Sequence, residues 1–320
     1  MSRKSSLTPN AAVVLACVLG ACVHNSNTGS ELSATVAISP TRKMYIECRG
    51  TGSPTVVLVA GQRGSAAEWS LTESRTVPPQ PAVFGAVARF TRVCAYDRPG
   101  TPVGESFSRS DPAPQPTTAA AATADLHALL RSAGESAPYV IVGHSAGGTV
   151  ARLYASTYPD EVRGMVLVDA LAEGLQDAMT PAQWTTQRIL LEGDLAESLR
   201  EYPDIERFDA DATFAQLRAA PPLRPMPLAV LSSDASIAEL VKDMAANGQL
   251  PAGVPADFGY VTDIAQRASQ AKLAALVPGA RHLKETHSGH NIHREQPQLV
   301  VEAIRDVVDA VRESRDTLAR

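Results

Sequence analysis

Five short runs are apolar and rich in β-branched residues, and each predicts a strand: 55–59, 91–96, 139–142, 163–168 and 227–233. Thr55-Val-Val-Leu-Val59 and Tyr139-Val-Ile-Val142 are apolar almost without a break, the mark of strands covered on both faces. Two earlier runs, 31–38 and 43–48, alternate well enough to form an antiparallel pair turned at Ser39-Pro40. A weak last strand is predicted over 280–285. Helical patterns fall between these runs, at 117–134, 149–158, 235–247 and 260–275. The chain closes on an amphipathic helix over 295–313, with Val300, Ile304, Val307, Val308 and Val311 on one face. Repeated strand–helix alternation predicts an α/β fold with a mostly parallel central sheet flanked by helices. The pattern is interrupted once. Residues 171–226 hold no buried strand, only helical stretches at 180–193, 195–202 and 212–219 and a proline-rich exit, so they read as a helical insertion.

Chemistry concentrates behind the strand 139–142. Gly143-His144-Ser145-Ala146-Gly147 follows it, and the next helix follows that. A serine on a strained strand-to-helix turn needs neighbours without bulk two positions before and two after, because strand and helix close on each other there. Gly143 and Gly147 fill those places, and Ala146 and Gly148 keep the turn small. Such a turn aims the Ser145 hydroxyl out of the sheet, over a helix N-terminus that favours developing negative charge.

Together, Gly-His-Ser145-Ala-Gly-Gly, Val-Cys-Ala-Tyr-Asp97-Arg-Pro-Gly and Ser-Gly-His290-Asn-Ile-His-Arg-Glu-Gln-Pro resemble the α/β-hydrolase fold family over roughly residues 43 to 312. The resemblance implies an α/β-hydrolase fold with a helical cap inserted after the sixth strand. Its core would comprise residues 34–170 and 227–320, its cap 171–226. It implies Ser145 as nucleophile and His290, in the loop before the last helix, as base, with His287 and His293 at the surface or behind it. It puts one oxyanion-hole N–H on Gln62, after the third strand, and the other on Ala146. Two aspartates can supply the acid: Asp234, after the strand that follows the cap, where the family usually keeps it, and Asp169, after the preceding strand, a variant location. Asp234 is the first expectation. Asp97 fits a structural role in its turn, held by backbone N–H groups or Arg98. His144 is expected to be structural and His127 to be a solvated helix residue. Cys48 and Cys94 would lie on neighbouring strands and form a disulfide.

The N-terminus reads as a targeting segment. Arg3 and Lys4 precede an apolar run, 11–23, too short to cross a bilayer and suited to a secretory signal. Leu19-Gly-Ala-Cys22 resembles a bacterial lipobox, which predicts a signal peptide over 1–21, lipidation of Cys22 and a polar tether over 22–33. Export also suits the expected Cys48–Cys94 bond. The net charge of −5 is spread along the chain, with no basic run to suggest nucleic acid as a partner. His287, His290 and His293 recur at three-residue spacing in a loop, with His290 already assigned to catalysis, so no metal site is expected. No glycine-rich phosphate or dinucleotide motif is present, and no cofactor is expected.

The expectation is therefore an exported, membrane-anchored serine hydrolase of small-molecule carboxylic esters, acting through an acyl-enzyme. A peptidase, acyltransferase or perhydrolase could run on the same triad. A non-catalytic binding protein on a hydrolase scaffold is the alternative from another class.

Overall fold

The computed structural model describes residues 31–103, 106–193 and 195–318. The signal, Cys22 and most of the tether lie outside them. Eight strands form one sheet in the order β1-β2-β4-β3-β5-β6-β7-β8. They are β1 (Leu32–Ala37), β2 (Lys43–Arg49), β3 (Thr55–Val59), β4 (Val93–Tyr96), β5 (Tyr139–His144), β6 (Val162–Val168), β7 (Leu228–Leu231) and β8 (Arg281–Leu283). β2 runs antiparallel to β1 and to β4; every other pair is parallel. β1 lies inside the run 31–38 expected to be a strand, so Leu32 and Ser33 belong to the sheet and not to the tether drawn over 22–33.

Alternation explains the two cores. Val57 and Val59 of β3 face one layer, where Leu126, Leu129 and Leu130 of α2 (Ala119–Ser132) and Val150 and Tyr154 of α3 (Gly147–Thr157) are buried. Val56 and Leu58 face the other layer, with Phe84 of α1 (Val83–Val87) and Val300, Ile304, Val307 and Val308 of α11 (Pro297–Arg312). The final helix is preceded by a separate turn, α10 (Ile292–Glu295), where one helix was expected from residue 295. Pro297 lacks the N–H that a continuous helix would require and starts a new one. Cys48 and Cys94 are direct cross-strand partners in β2 and β4 and are joined by a disulfide.

A helical cap follows the sixth strand. Its helices are α4 (Glu173–Asp177), α5 (Pro181–Glu192), α6 (Leu195–Glu201) and α7 (Ala210–Ala219). Trp184, Phe214 and Leu217 form a third buried cluster with Ala146, Leu153 and Leu171 of the core. α4 packs on α9 (Gly259–Leu273), where a side chain at Gly174 would meet Ser269. α8 (Ile237–Ala246) precedes α9.

Parallel register lines up the strand ends. Val59 pairs with Gly143, His144 with Val168, and Val168 with Leu231. The residues just beyond, Gly61, Ser145, Asp169 and Ser232 to Asp234, therefore gather at the carboxyl edge, where open α/β sheets place their sites.

Candidate active site

Ser145 stands in the left-handed backbone region at φ 52°, a conformation that costs a residue with a Cβ on the order of 1–3 kcal/mol. The turn is held from both sides: Ser145 N–H donates to Val168 O at 3.2 Å, and Leu171 N–H donates to Ser145 O at 2.9 Å. The expected crowding is present. A Cβ at Gly143 would lie 2.7 Å from Gly147 O, one at Gly147 2.3 Å from Val59 O, and one at Gly148 2.3 Å from Ala170 Cβ.

His290 Nδ1 lies 2.6 Å from Asp169 Oδ2. Asp169 is buried and its other oxygen accepts Ser233 N–H at 3.1 Å and Gln266 Nε2 at 3.2 Å. Of the two aspartates expected, the structure brings Asp169 and not Asp234 to His290. Asp234 does not meet His290; its carboxylate accepts the backbone N–H groups of His287 and Ser288, both at 3.0 Å. It shapes the loop that carries His290 instead of pairing with its ring. Burial raises the proton affinity of the Asp234 carboxyl, but those two N–H donors outweigh it and hold the group below the usual carboxylate range. For His290, burial works against the charged ring, yet the hydrogen bond and charge of Asp169 outweigh it and raise its pKa above the ordinary histidine value. The side chain is half exposed in the mouth of the site.

Packing places the four other histidines named from the sequence around and beyond this pair. His144 is buried, and its Nε2–H donates to the His290 carbonyl at 3.0 Å, which ties the loop of His290 to the elbow. His293 is not at the surface: it is 1% exposed, its ring 4.7 Å from Trp69 and 4.4 Å from His144. His127 is not free in solvent but lies flat on Tyr158 and 3.1 Å from Glu161. His287 is exposed as expected.

Glu68, His144 and His293 bring ligand-type atoms within 4.8 Å of one another. Tetrahedral zinc sets its ligands roughly 3.4 Å apart. The two imidazoles of this trio pack against each other at 4.4 Å, tilted by 52°.

Gly61, Gln62 and Arg63 bend over the elbow. A methyl group at Gly61 would stand 3.1 Å from Ser145 Cβ. Among the described residues the N–H groups of Gln62 and Ala146 donate to no protein acceptor, and both residues line the cavity that contains Ser145. Asp97 accepts Ala66 N–H and pairs with Arg109, so it is structural, but its partner is not Arg98. Arg98 is buried against Glu206 of the cap, a residue that carries no sequence motif. The missed signal lies in the core: a side chain at Gly100 would strike Glu206 N at 2.6 Å, so the glycine of Asp97-Arg-Pro-Gly100 admits the cap.

Ser145 and His290 line the same cavity of about 440 Å³, without a hydrogen bond between their side chains. Such contacts are often long in unliganded sites. Leu171, Leu190, Leu191 and Phe208 form apolar wall, and Arg63, Arg188 and Asp211 form polar wall. Of the cap's apolar residues, Leu190, Leu191 and Phe208 line the cavity, whereas Trp184, Phe214 and Leu217 belong to the cap–core packing.

A sequence model described as the alpha/beta hydrolase family matches residues 56–303. The chain belongs to the α/β-hydrolase family. An uncharacterised protein of Schizosaccharomyces pombe is 33% identical over 145 residues, 40% of this chain; the match spans about a quarter (26%) of that relative's length. The uncharacterised protein YqjL of Bacillus subtilis is 25% identical over 263 residues, 81% of this α/β hydrolase and 85% of the relative. Among solved structures, the carboxylesterase CesB of Bacillus subtilis superposes with a TM-score of 0.52 at 16% identity, over 87% of this chain and 91% of its own. That likeness shows the fold. Among the described residues no helix is long and apolar enough to cross a membrane.

Proposed function

We propose that this α/β hydrolase is an exported serine hydrolase that cleaves small carboxylic esters through an acyl-enzyme, with a triad of Ser145, His290 and Asp169. The observation that carries this reading is the 2.6 Å contact between His290 Nδ1 and Asp169 Oδ2 beside a strained Ser145. Asp169 holds the Nδ1–H tautomer, which leaves Nε2 to accept the Ser145 proton. Ser145 Oγ then attacks the ester carbonyl carbon, and the Gln62 and Ala146 N–H groups receive the oxyanion. The intermediate expels the alcohol, which takes its proton from His290. Water, deprotonated by His290, attacks the acyl-enzyme; Ser145 regains its proton from His290, and the carboxylic acid leaves and ionises in solvent.

Export is supported by the signal-like N-terminus and by the disulfide, which persists in oxidising compartments. Cys22 would carry the lipid anchor. The test is hydrolysis of p-nitrophenyl butyrate by the chain beside its Ser145→Ala twin. Turnover that vanishes in the twin supports the mechanism; equal turnover in both overturns it. No turnover in either, with Ser145 still labelled by a fluorophosphonate, moves the substrate to another acyl class; failure to label as well leaves a binding protein.

A further inference from the structure

The oxyanion side of the site is held by a carboxylate that no chemical step uses. Glu206 lies in the cap between α6 and α7 and is 1% exposed. Its two carboxylate oxygens accept Arg63 N–H at 2.8 Å, Arg98 Nε at 3.0 Å, Arg98 Nη2 and Thr117 Oγ1 at 2.9 Å. Its carbonyl accepts Arg63 Nε at 3.1 Å. The neighbouring cap segment is bonded to the core as well: Thr117 N–H donates to Arg207 O at 2.8 Å and Asp209 N–H to Thr117 O at 2.9 Å. Phe208, between them, lines the cavity.

The target of this clamp is the residue after Gln62. Gly61 to Gly64 form a four-residue turn closed by Gly64 N–H to Gly61 O at 3.0 Å. That bond fixes the Gly61 carbonyl, and peptide planarity then aims the Gln62 N–H the opposite way. Arg63 occupies the third turn position at φ 58°, a place that normally takes glycine. Left alone, an arginine there relaxes to negative φ; relaxation that opens the turn breaks the Gly64 N–H to Gly61 O bond and frees the Gly61–Gln62 peptide, which carries the Gln62 N–H. The Arg63 N–H is the atom that Glu206 holds.

We infer that Glu206 is a positioning residue for the oxyanion hole: docking of the cap and the aim of the Gln62 N–H depend on one carboxylate. The inference rests on the Ser145 mechanism proposed above. Two double variants of the full chain test it, both lacking the buried ion pair. Arg98→Met with Glu206→Gln keeps an oxygen for Arg63 N–H; Arg98→Met with Glu206→Met does not. Replacing both charges avoids the stranded buried arginine that a single substitution would leave. With equal thermal midpoints, the glutamine pair keeps kcat within about threefold of the parent, whereas the methionine pair loses about 10- to 100-fold, somewhat less than deletion of an oxyanion donor. KM is unchanged, and a trifluoromethyl ketone, whose tetrahedral adduct uses the same hole, binds more weakly by the same factor. Adding Arg63→Gly to the methionine pair restores kcat, because glycine accepts positive φ unaided. If the methionine pair does not fold, an amide-to-ester replacement that removes only the Arg63 N–H gives the same comparison. Equal kcat in the two pairs, or an ester variant as fast as the parent, overturns the inference. A parent no faster than its Ser145→Ala twin overturns the mechanism instead.

Discussion

The ring of His290 is paired with Asp169 at 2.6 Å, across the ends of two strands, and not with Asp234 from the next strand along. Both aspartates lie at the carboxyl edge of the sheet. What separates them is which donors reach them first. Asp234 is met by the turning backbone of His287 and Ser288, so its oxygens face amides. Asp169, at φ 39°, points one oxygen to Ser233 and Gln266 and leaves the other for the imidazole.

The two roles predict opposite phenotypes. Asp169→Asn removes the partner that fixes the Nδ1–H tautomer, and kcat falls by about 10³- to 10⁴-fold with the protein still folded. Asp234→Asn retains an acceptor for one loop amide. It lowers thermal stability by about 1 kcal/mol and costs less than about tenfold in kcat. Steady-state kinetics and thermal melts of the two variants decide it; the reverse pattern would return the acid to Asp234.

Activity should have an acid limb set by His290. The base works only when neutral, and Asp169 raises its pKa, so kcat/KM falls as pH drops through a midpoint above 6.5. In Asp169→Asn the charge and hydrogen bond are gone while burial remains, so the residual activity should persist to lower pH. The stability effect has its own sign. A raised folded-state pKa means that protonated His290 stabilises the fold fully below 6.5 and ceases to do so as pH rises through the folded value. A pH–rate profile for each protein checks the displacement; coincident limbs would remove Asp169 from the ring's environment.

The sheet was legible because burial on two faces leaves an unbroken apolar run in Thr55 to Val59 and Tyr139 to Val142, and a run of that kind has few alternative structures. The elbow was legible because its glycines answer a steric demand made by atoms a few residues away. The acid was not, since Asp169 and Asp234 both follow strands and their difference lies in loop backbone directions. Which of its two expected places His293 takes was not legible, and the reach of Glu206 into the Arg63 turn escaped, for the same reason: each depends on a segment more than a hundred residues distant. The α1 helix (Val83–Val87) was passed over because five residues show little more than one turn of periodicity.

The disulfide should matter to stability more than to chemistry. Cys48 and Cys94 are 46 residues apart, and closing a loop of that length removes about 4 kcal/mol of unfolded-state entropy in the chain-entropy model. They join β2 to β4, away from the strand ends that carry Ser145 and Asp169. Cys48→Ala with Cys94→Ala should therefore melt on the order of 10 °C lower, with kcat at 25 °C within about twofold. An unchanged melting point would show that the bond is absent in the isolated protein.

Acid should unfold this protein through His144 and His293. Both are buried, and among the described residues no carboxylate is hydrogen-bonded to either ring and neither ring nitrogen of His293 is paired. Burial, then the neighbouring histidines, push His144 well below its ordinary value; burial, then His290 and Arg294, push His293 down to about 3. Between that value and about 6.5 the unfolded chain binds a proton at His293 that the folded chain refuses, and the lowered pKa of His144 acts in the same direction, so stability rises with pH and is lost as pH falls below 6.5. His293 contributes a slope of about 1.4 kcal/mol per pH unit once well inside that window. His293→Phe keeps a ring against Trp69 and removes the titration along with two unpaired buried nitrogens. Urea unfolding at pH 7 and pH 5 should show a loss in the parent that is smaller in the variant by about 2 kcal/mol. Parallel losses in the two proteins would mean that His293 takes up its proton without leaving the core.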